Sequence, residues 1–368
     1  MALQLVTVIL DIGQFSSKVG FAGSDSPAAT FLTMVGEPKY QQVGMLAEKQ
    51  FYVGDSISDT LGLYKISNPI QNGTIVDWVL FEKLLDYIFY VLRVDPSLCS
   101  VLYAIHPQFT DEDKRKLYQL LFEKYQVQRI YFAIDAMLTL YAGGFTTGLV
   151  VDIAESSTRV VPYYEGFLVN PGVRIENIGG SDLTRFMAWQ LQQSGFKLET
   201  SAEKQLVRTV KEKMCFVSLD YETDLKDFTK FNKDFRLPDG EQIVLNRQRF
   251  QVPELLFNPM FFNMETQSIV NAILDSINSC DLETRPALLN NIFLTGGSSM
   301  FPNLDLRLEH EIEIALAKTH QEVPKIRIFA PKERMFSAWV GGSILSQITE
   351  FQKSWVSRLQ YFKNGPPI

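Results

Sequence analysis

The stretch VTVILDIGQFSSKVGFAG, residues 6–23, has a counterpart in GLVVDIAESSTRVVPYYEG, residues 148–166. With Asp11 set against Asp152, an offset of 141 residues, both copies read D-I-x-x-x-S-[ST]-[KR]-V. Ile12 meets Ile153, Ser16 meets Ser157, Ser17 meets Thr158, Lys18 meets Arg159 and Val19 meets Val160. Each copy opens on an apolar, β-branched run, turns just after its Asp and resumes as a second apolar run. That is the pattern of a β-hairpin with a small-residue tip. Two such hairpins in one chain predict two halves built on one plan.

Working outward, the segments between the copies read as helices. Residues 77–92 place Val79, Leu80, Leu84, Leu85, Ile88 and Phe89 at helical spacing. Residues 111–125 begin with acidic side chains after Thr110, a natural N-cap. Residues 133–141 form a third helix, ended by Gly143-Gly144. After the second copy, residues 181–194 and 201–220 read as helices, and residues 291–295 as a strand stopping at Gly296-Gly297. Residues 303–317 then run as an amphipathic helix. Strands alternating with helices give an α/β class.

The bulk properties bound the function. A chain of 368 residues exceeds one ordinary core and fits two domains. A formal net charge of -7 argues against general affinity for nucleic acid or anionic membrane. Cys99, Cys215 and Cys280 are widely spaced, with no CxxC pair, so neither a zinc site nor a redox motif is expected. The segment from Met1 enters an apolar run with no basic region before it, and the expectation is a soluble, cytoplasmic protein without a secretory signal.

Asp11 and Asp152 each end an apolar strand at a tight turn. Two related carboxylates facing a common ligand suit hydrated Mg²⁺, which keeps its waters and takes few protein ligands. The competing structural reading is that each Asp caps its own turn. The tips, residues 13–18 and 154–159, offer backbone N–H groups and the hydroxyls of Ser16, Ser17, Ser156, Ser157 and Thr158 to phosphate oxygens, with Lys18 adding charge. Neither tip is a P-loop. Gly296-Gly297-Ser298-Ser299-Met300 follows a strand, where a glycine pair admits a ligand close to the backbone. Gly179-Gly180-Ser181-Asp182 is a similar junction. Arg208, Lys211 and Glu212 crowd one helix, either as a solvated face or as groups around a purine and ribose.

At these residues the chain resembles the actin family. KVGFAG at 18–23, YVGD at 52–55, NPIQNG at 68–73, LPDG at 237–240, TGGSSMFP at 295–302 and WVGGSIL at 339–345 are similar to its signatures, in order, and LVRTVKEKMCFVSLD at 206–220 is close to its adenine-side helix. The resemblance implies a two-lobed actin-like ATPase fold with a duplicated core around a central nucleotide cleft. It implies a first lobe at 1–136 and 335–368, and a second at 137–334. It implies bound ATP or ADP with Mg²⁺, Asp11 and Asp152 holding metal-bound waters. Gly13, Gln14, Phe15, Ser16 and Lys18 would cradle the phosphates with Ala154, Glu155, Ser156 and Ser157. Gly180, Arg208, Lys211, Glu212, Gly296, Gly297, Ser298, Met300 and Phe301 would surround ribose and adenine. Residues 37–51 would be a loop that enters a neighbouring actin-like subunit. Tyr141, Ala142, Gly144, Thr146, Leu345 and Ile348 would line the surface where subunits and actin-binding proteins dock.

Departures qualify the resemblance. Gln14-Phe15-Ser16 stands where actins carry Ser-Gly-Leu, and Ala154-Glu155-Ser156 where they carry Gly-Asp-Gly. Asp135 replaces the glutamine that orients the attacking water, Arg159 stands where a histidine lies nearby, Met335 replaces a lysine and Asn72 a histidine. Asp135 and Arg159 are the catalytic candidates, expected to compensate each other's charge. Three functions follow: a nucleotide-binding cytoskeletal subunit, filament-forming or filament-associated, with slow or altered hydrolysis; an active ATPase whose hydrolysis times filament turnover; and a sugar or acetate kinase. The first is favoured, because an ionised Asp135 would add negative charge beside phosphate and metal, and the kinase reading is weakest, because the actin-like signatures run through the whole chain.

Overall fold

The repeated stretches fold as two antiparallel hairpins in the same register. Val6–Ile12 pairs with Ser16–Phe21, setting Asp11 opposite Lys18, and Gly148–Ile153 pairs with Thr158–Tyr164, setting Asp152 opposite Arg159. The computed structural model describes residues 5–39, 51–54, 57, 63–196, 201–237, 240, 242–318 and 324–367. Most of the expected subunit-entering loop, residues 40–50, lies outside the described residues. The chain divides into two compact units, Met1–Thr146 with Phe336–Ile368, and Thr147–Met335. Each holds one hairpin, and both are mixed α/β.

In the first unit a six-stranded sheet runs Val356–Ser357, Arg129–Ile134, Cys99–Ile105, Val6–Ile12, Ser16–Phe21, Ala29–Leu32. The strand before the hairpin turn pairs in parallel with Cys99–Ile105, all seven residues of which are buried. Parallel strands covered on both faces read as continuous apolar runs, as this one does. Alternation along Val6–Ile12 sends Val8, Leu10 and Ile12 to one core with the helix Trp78–Leu92, and Ile9 to the other with Leu138 and Trp339. Asp77 caps that helix by accepting from the Leu80 amide at 2.9 Å. Its buried stripe is Leu80, Phe81, Leu84, Leu85, Ile88, Phe89 and Leu92, whereas Val79 is exposed.

On the sheet's other side, helices Asp135–Ala142 and Ser337–Leu345 meet backbone to backbone. A Cβ on Gly341 would fall inside the carbonyl of Leu138, so only glycine permits this approach. Residues 133 and 134, expected in a helix, end the strand Arg129–Ile134 instead. The apolar run there is drawn into parallel pairing with Cys99–Ile105, and the helix starts at Asp135.

The second unit repeats the plan. Gly148–Ile153 pairs in parallel with Ile292–Thr295, which pairs in parallel with Ile328–Phe329. Leu149, Val151 and Ile153 enter a core shared with Leu183, Phe186, Met187, Val207 and Val210 from two helices, Gly180–Gln193 and Ser201–Met214. The latter stops six residues short of expectation, because the Phe216 and Val217 amides bond the carbonyls of Arg249 and Pro302, both at 2.9 Å. Behind it Arg307 forms a buried pair with Glu254 at 3.1 Å and donates to the Ser218 carbonyl at 2.6 Å. Burial pushes the Glu254 carboxyl up to about 7 against the pull of Arg307. All three cysteines are free and buried, and burial raises each thiol's pKa, so they act as small hydrophobes.

Candidate functional site

In the first hairpin the turn closes through the Gly13 amide, which donates to the Ser16 carbonyl at 3.1 Å. Lys18 and Asp11, opposite each other in the register, form an ion pair at 3.2 Å with both side chains 15% exposed. Burial pushes the nearby Tyr103 hydroxyl well above its usual range, and Asp11 adds to the shift. Three contacts hold the tip. The Thr33 amide donates to the Phe15 carbonyl at 2.8 Å, the Asn68 side-chain amide to the Gln14 carbonyl, and the Asn72 amide to Gln14 Oε1 at 2.9 Å. Ser17 and Thr33 share a buried hydroxyl bond of 2.8 Å beneath it.

The second hairpin copies the turn: the Ala154 amide donates to the Ser157 carbonyl at 3.0 Å. Arg159 pairs with Asp152 across the register, and the two side chains are 7% and 13% exposed. Glu155 at the tip takes both branches of Arg208, at 2.8 and 2.5 Å. The amides of Gly180 and Ser181, first in the helix Gly180–Gln193, donate to the carbonyls of Ala154 at 2.9 Å and Glu155 at 2.8 Å. The Gly179 amide goes to Asp182 at 2.8 Å. This helix start therefore spends its donors on the hairpin. Lys211 is buried and donates to the Gly180 carbonyl at 3.1 Å; burial holds its pKa down, and Arg208 adds to this.

Beside this hairpin, Gly296 has a φ of +87° at the end of its strand. A Cβ there would enter the Asp152 carboxylate and the Ile153 carbonyl. Gly297 borders open space, with nothing within 4 Å of a built Cβ. Ser298 Oγ donates to the Ala154 carbonyl at 3.4 Å. Arg334, which sequence reasoning passed over, fixes this turn by donating to the Ser299 carbonyl at 2.6 Å. Met300 is half-buried, and Glu212 is exposed. Phe301, expected beside adenine, is 6% exposed and packs in the core of its unit. An aromatic following a ligand turn reads the same whether it faces ligand or core.

Asp135 begins its helix and accepts from the Ala136 amide at 2.7 Å, a favourable place for a carboxylate beside the helix N-terminus. Arg159 has its carboxylate partner, Asp152, within its own hairpin. Of the expected docking residues, Tyr141 and Ala142 end the Asp135 helix, Gly144 and Thr146 are exposed, Ile348 is 45% exposed, and Leu345 is buried at 6%. Among the described residues no group of three or more His, Cys, Asp or Glu side chains is placed to hold a metal directly, and no helix is long and apolar enough to cross a membrane.

A mixed α/β chain with a duplicated Asp-base hairpin and a glycine turn is the architecture of an actin-like protein. The actin family model matches residues 2–368, and the chain belongs to the actin family. Members of that family typically bind a nucleotide and a divalent cation. The residues present fit such groups. Among the described residues the amides of Gln14, Glu155 and Ser156 donate to no protein acceptor, and backbone amides at a tight turn suit phosphate oxygens. Each hairpin Asp, though paired with a cation, keeps a second oxygen able to accept from a metal-bound water.

Proposed function

We propose that this actin-family chain is a cytoplasmic cytoskeletal subunit that binds ATP or ADP with Mg²⁺ and joins an actin-like filament or complex, hydrolysing ATP slowly. The observation that carries the reading is the duplicated hairpin: one turn geometry, one Asp-base register and unsatisfied tip amides in both units. In this reading the tips hold the phosphates, with Lys18 adding charge, and Gly297 leaves room for the nucleoside. Asp11 and Asp152 orient waters of the bound metal. Mg²⁺, when present, supplies neutralisation of the polyphosphate charge.

Slow hydrolysis follows from Asp135. A glutamine orients water without charge, whereas an ionised Asp about 4 Å from phosphate costs ~4 kcal/mol at an effective dielectric near 20. Arg159 offsets that cost only to the extent that Asp152 releases it. Nucleotide released from denatured, purified protein, identified by chromatography, tests the reading. ADP or ATP at near-stoichiometric amount is expected; protein that is empty and also fails to bind added nucleotide with Mg²⁺ overturns it. Electron microscopy in ATP and Mg²⁺ tests assembly. Asp135→Gln is expected to raise single-turnover hydrolysis, and an unchanged or lower rate removes Asp135 from the catalytic set.

A further inference from the structure

The second tip carries a tether that the repeat does not require. Glu155 places a carboxylate at a position where phosphate is expected, and Arg208 grips it with both branches of its guanidinium. Both side chains are only 14% exposed, so the pair is not of the solvent-screened kind that contributes little. The Glu155 carboxylate also packs against Gly180, where a Cβ would sit 3.0 Å from Oε2 and 2.5 Å from Ser298 Oγ.

The backbone shows what the tether accomplishes. Ala154 O accepts from Gly180 N, and Glu155 O accepts from Ser181 N. In a trans peptide plane the N–H points opposite to the carbonyl. Fixing Ala154 O therefore aims the Glu155 amide the other way, and fixing Glu155 O does the same for the Ser156 amide. These are the two amides of this tip that have no protein acceptor among the described residues.

We infer that the Glu155–Arg208 ion pair is a positioning clasp, which holds the second tip against the Gly180 helix so that the Glu155 and Ser156 amides stand ready as a cradle for nucleotide phosphate. The inference rests on the nucleotide-binding reading. It makes Arg208 a residue that acts through Glu155.

Charge and positioning predict opposite signs for Glu155→Gln. If the carboxylate mattered only as a negative charge near phosphate, its removal would tighten anion binding. As a clasp, its removal weakens binding of Mg²⁺-ADP and of inorganic tripolyphosphate by about tenfold, the effect of one charge-assisted contact. In nucleotide-free protein the same change accelerates hydrogen exchange at the Gly180 and Ser181 amides. Arg208→Lys keeps the charge but loses the planar fork, and is expected to accelerate the same two amides; it carries the test if Glu155→Gln does not fold. Equal or tighter binding by Glu155→Gln overturns the clasp. If the unaltered protein binds neither probe, the nucleotide reading fails on its own, and the exchange measurement still decides: unchanged exchange at Gly180 and Ser181 overturns the clasp.

Discussion

The two hairpins share a turn and a register but are held in place by different chemistry. The first tip is tethered by neutral groups: Thr33 N, the Asn68 amide and Asn72 N against carbonyl and amide oxygens of Phe15 and Gln14. The second is held by a bidentate ion pair and two helix-start amides. The closing bonds, 3.1 and 3.0 Å, are nonetheless the same. What the units have in common is thus the strand pairing and the Asp-base pair, and what has diverged is the surroundings that fix the tip. Neutral tethers are indifferent to salt, and ionic ones are weakened by it in proportion to their exposure.

The largest expected break in this comparison comes from glycine. Gly296→Ala drives a Cβ into Asp152 and Ile153 at a positive φ, and is expected to destabilise the second unit by about 4 kcal/mol, combining strained backbone and overpacking. Gly13→Ala should lie within about 0.5 kcal/mol of the parent, because Ala154 already occupies the equivalent turn. Denaturant unfolding of both variants checks the pair, and a costly Gly13→Ala would mean that the turns are not equivalent. Next comes the Asp-base pair. Asp152→Asn removes a charge partner from the more deeply buried Arg159 and is expected to cost about 3 kcal/mol. Asp11→Asn, beside the more exposed Lys18, should cost about 1 to 2 kcal/mol by the same measurement. Equal costs would erase the distinction.

Acidity sharpens the contrast within the second unit. Glu254, flanked by Arg307, Glu311 and Glu222, has a folded-state pKa raised by burial to about 7 from 4.5. The folded protein therefore keeps a proton that the unfolded chain releases between those values, and stability falls as pH rises through that window. Glu254→Gln removes the dependence. The variant should gain on the parent by an amount on the order of 2 kcal/mol between pH 5 and pH 8. A constant difference in unfolding free energy across that range would refute the assignment. The smallest effect belongs to the neutral tether: Gln14→Ala gives up its bond from Asn72 and should cost about 1 kcal/mol, unchanged between low and high salt.

Much of this was legible in local sequence. Hairpins, caps and glycine turns are set by neighbours in the chain, which is why Thr110 caps as expected, Asp77 proves to cap the helix it was expected to begin, and Gly296 ends its strand. The Asp-base pairing was within reach too, since residues equally distant from a tip face each other in an antiparallel register. The tethers were not. Glu155 finds Arg208 across 53 residues, and Gln14 finds Asn72 across 58, with no periodicity to announce either. For Phe301 the sequence shows only the ligand-like turn around it, and the burial of its ring in the unit's core is set by packing.

Trp339 is wholly buried and donates from its indole to the Ile9 carbonyl at 3.2 Å, two residues from Asp11. Trp189 is 46% exposed and stacks on Phe186, on the helix whose first amides hold the second tip. The four tryptophans of the chain thus include one indole shielded from solvent at the first hairpin and one open to collisional quenchers on the helix that anchors the second. The protein carries its own pair of optical reporters: in a Trp78→Phe background, which removes the half-buried third indole of the first unit, iodide-accessible emission follows the second unit and inaccessible emission the first, so the two tips can be watched separately in unlabelled protein.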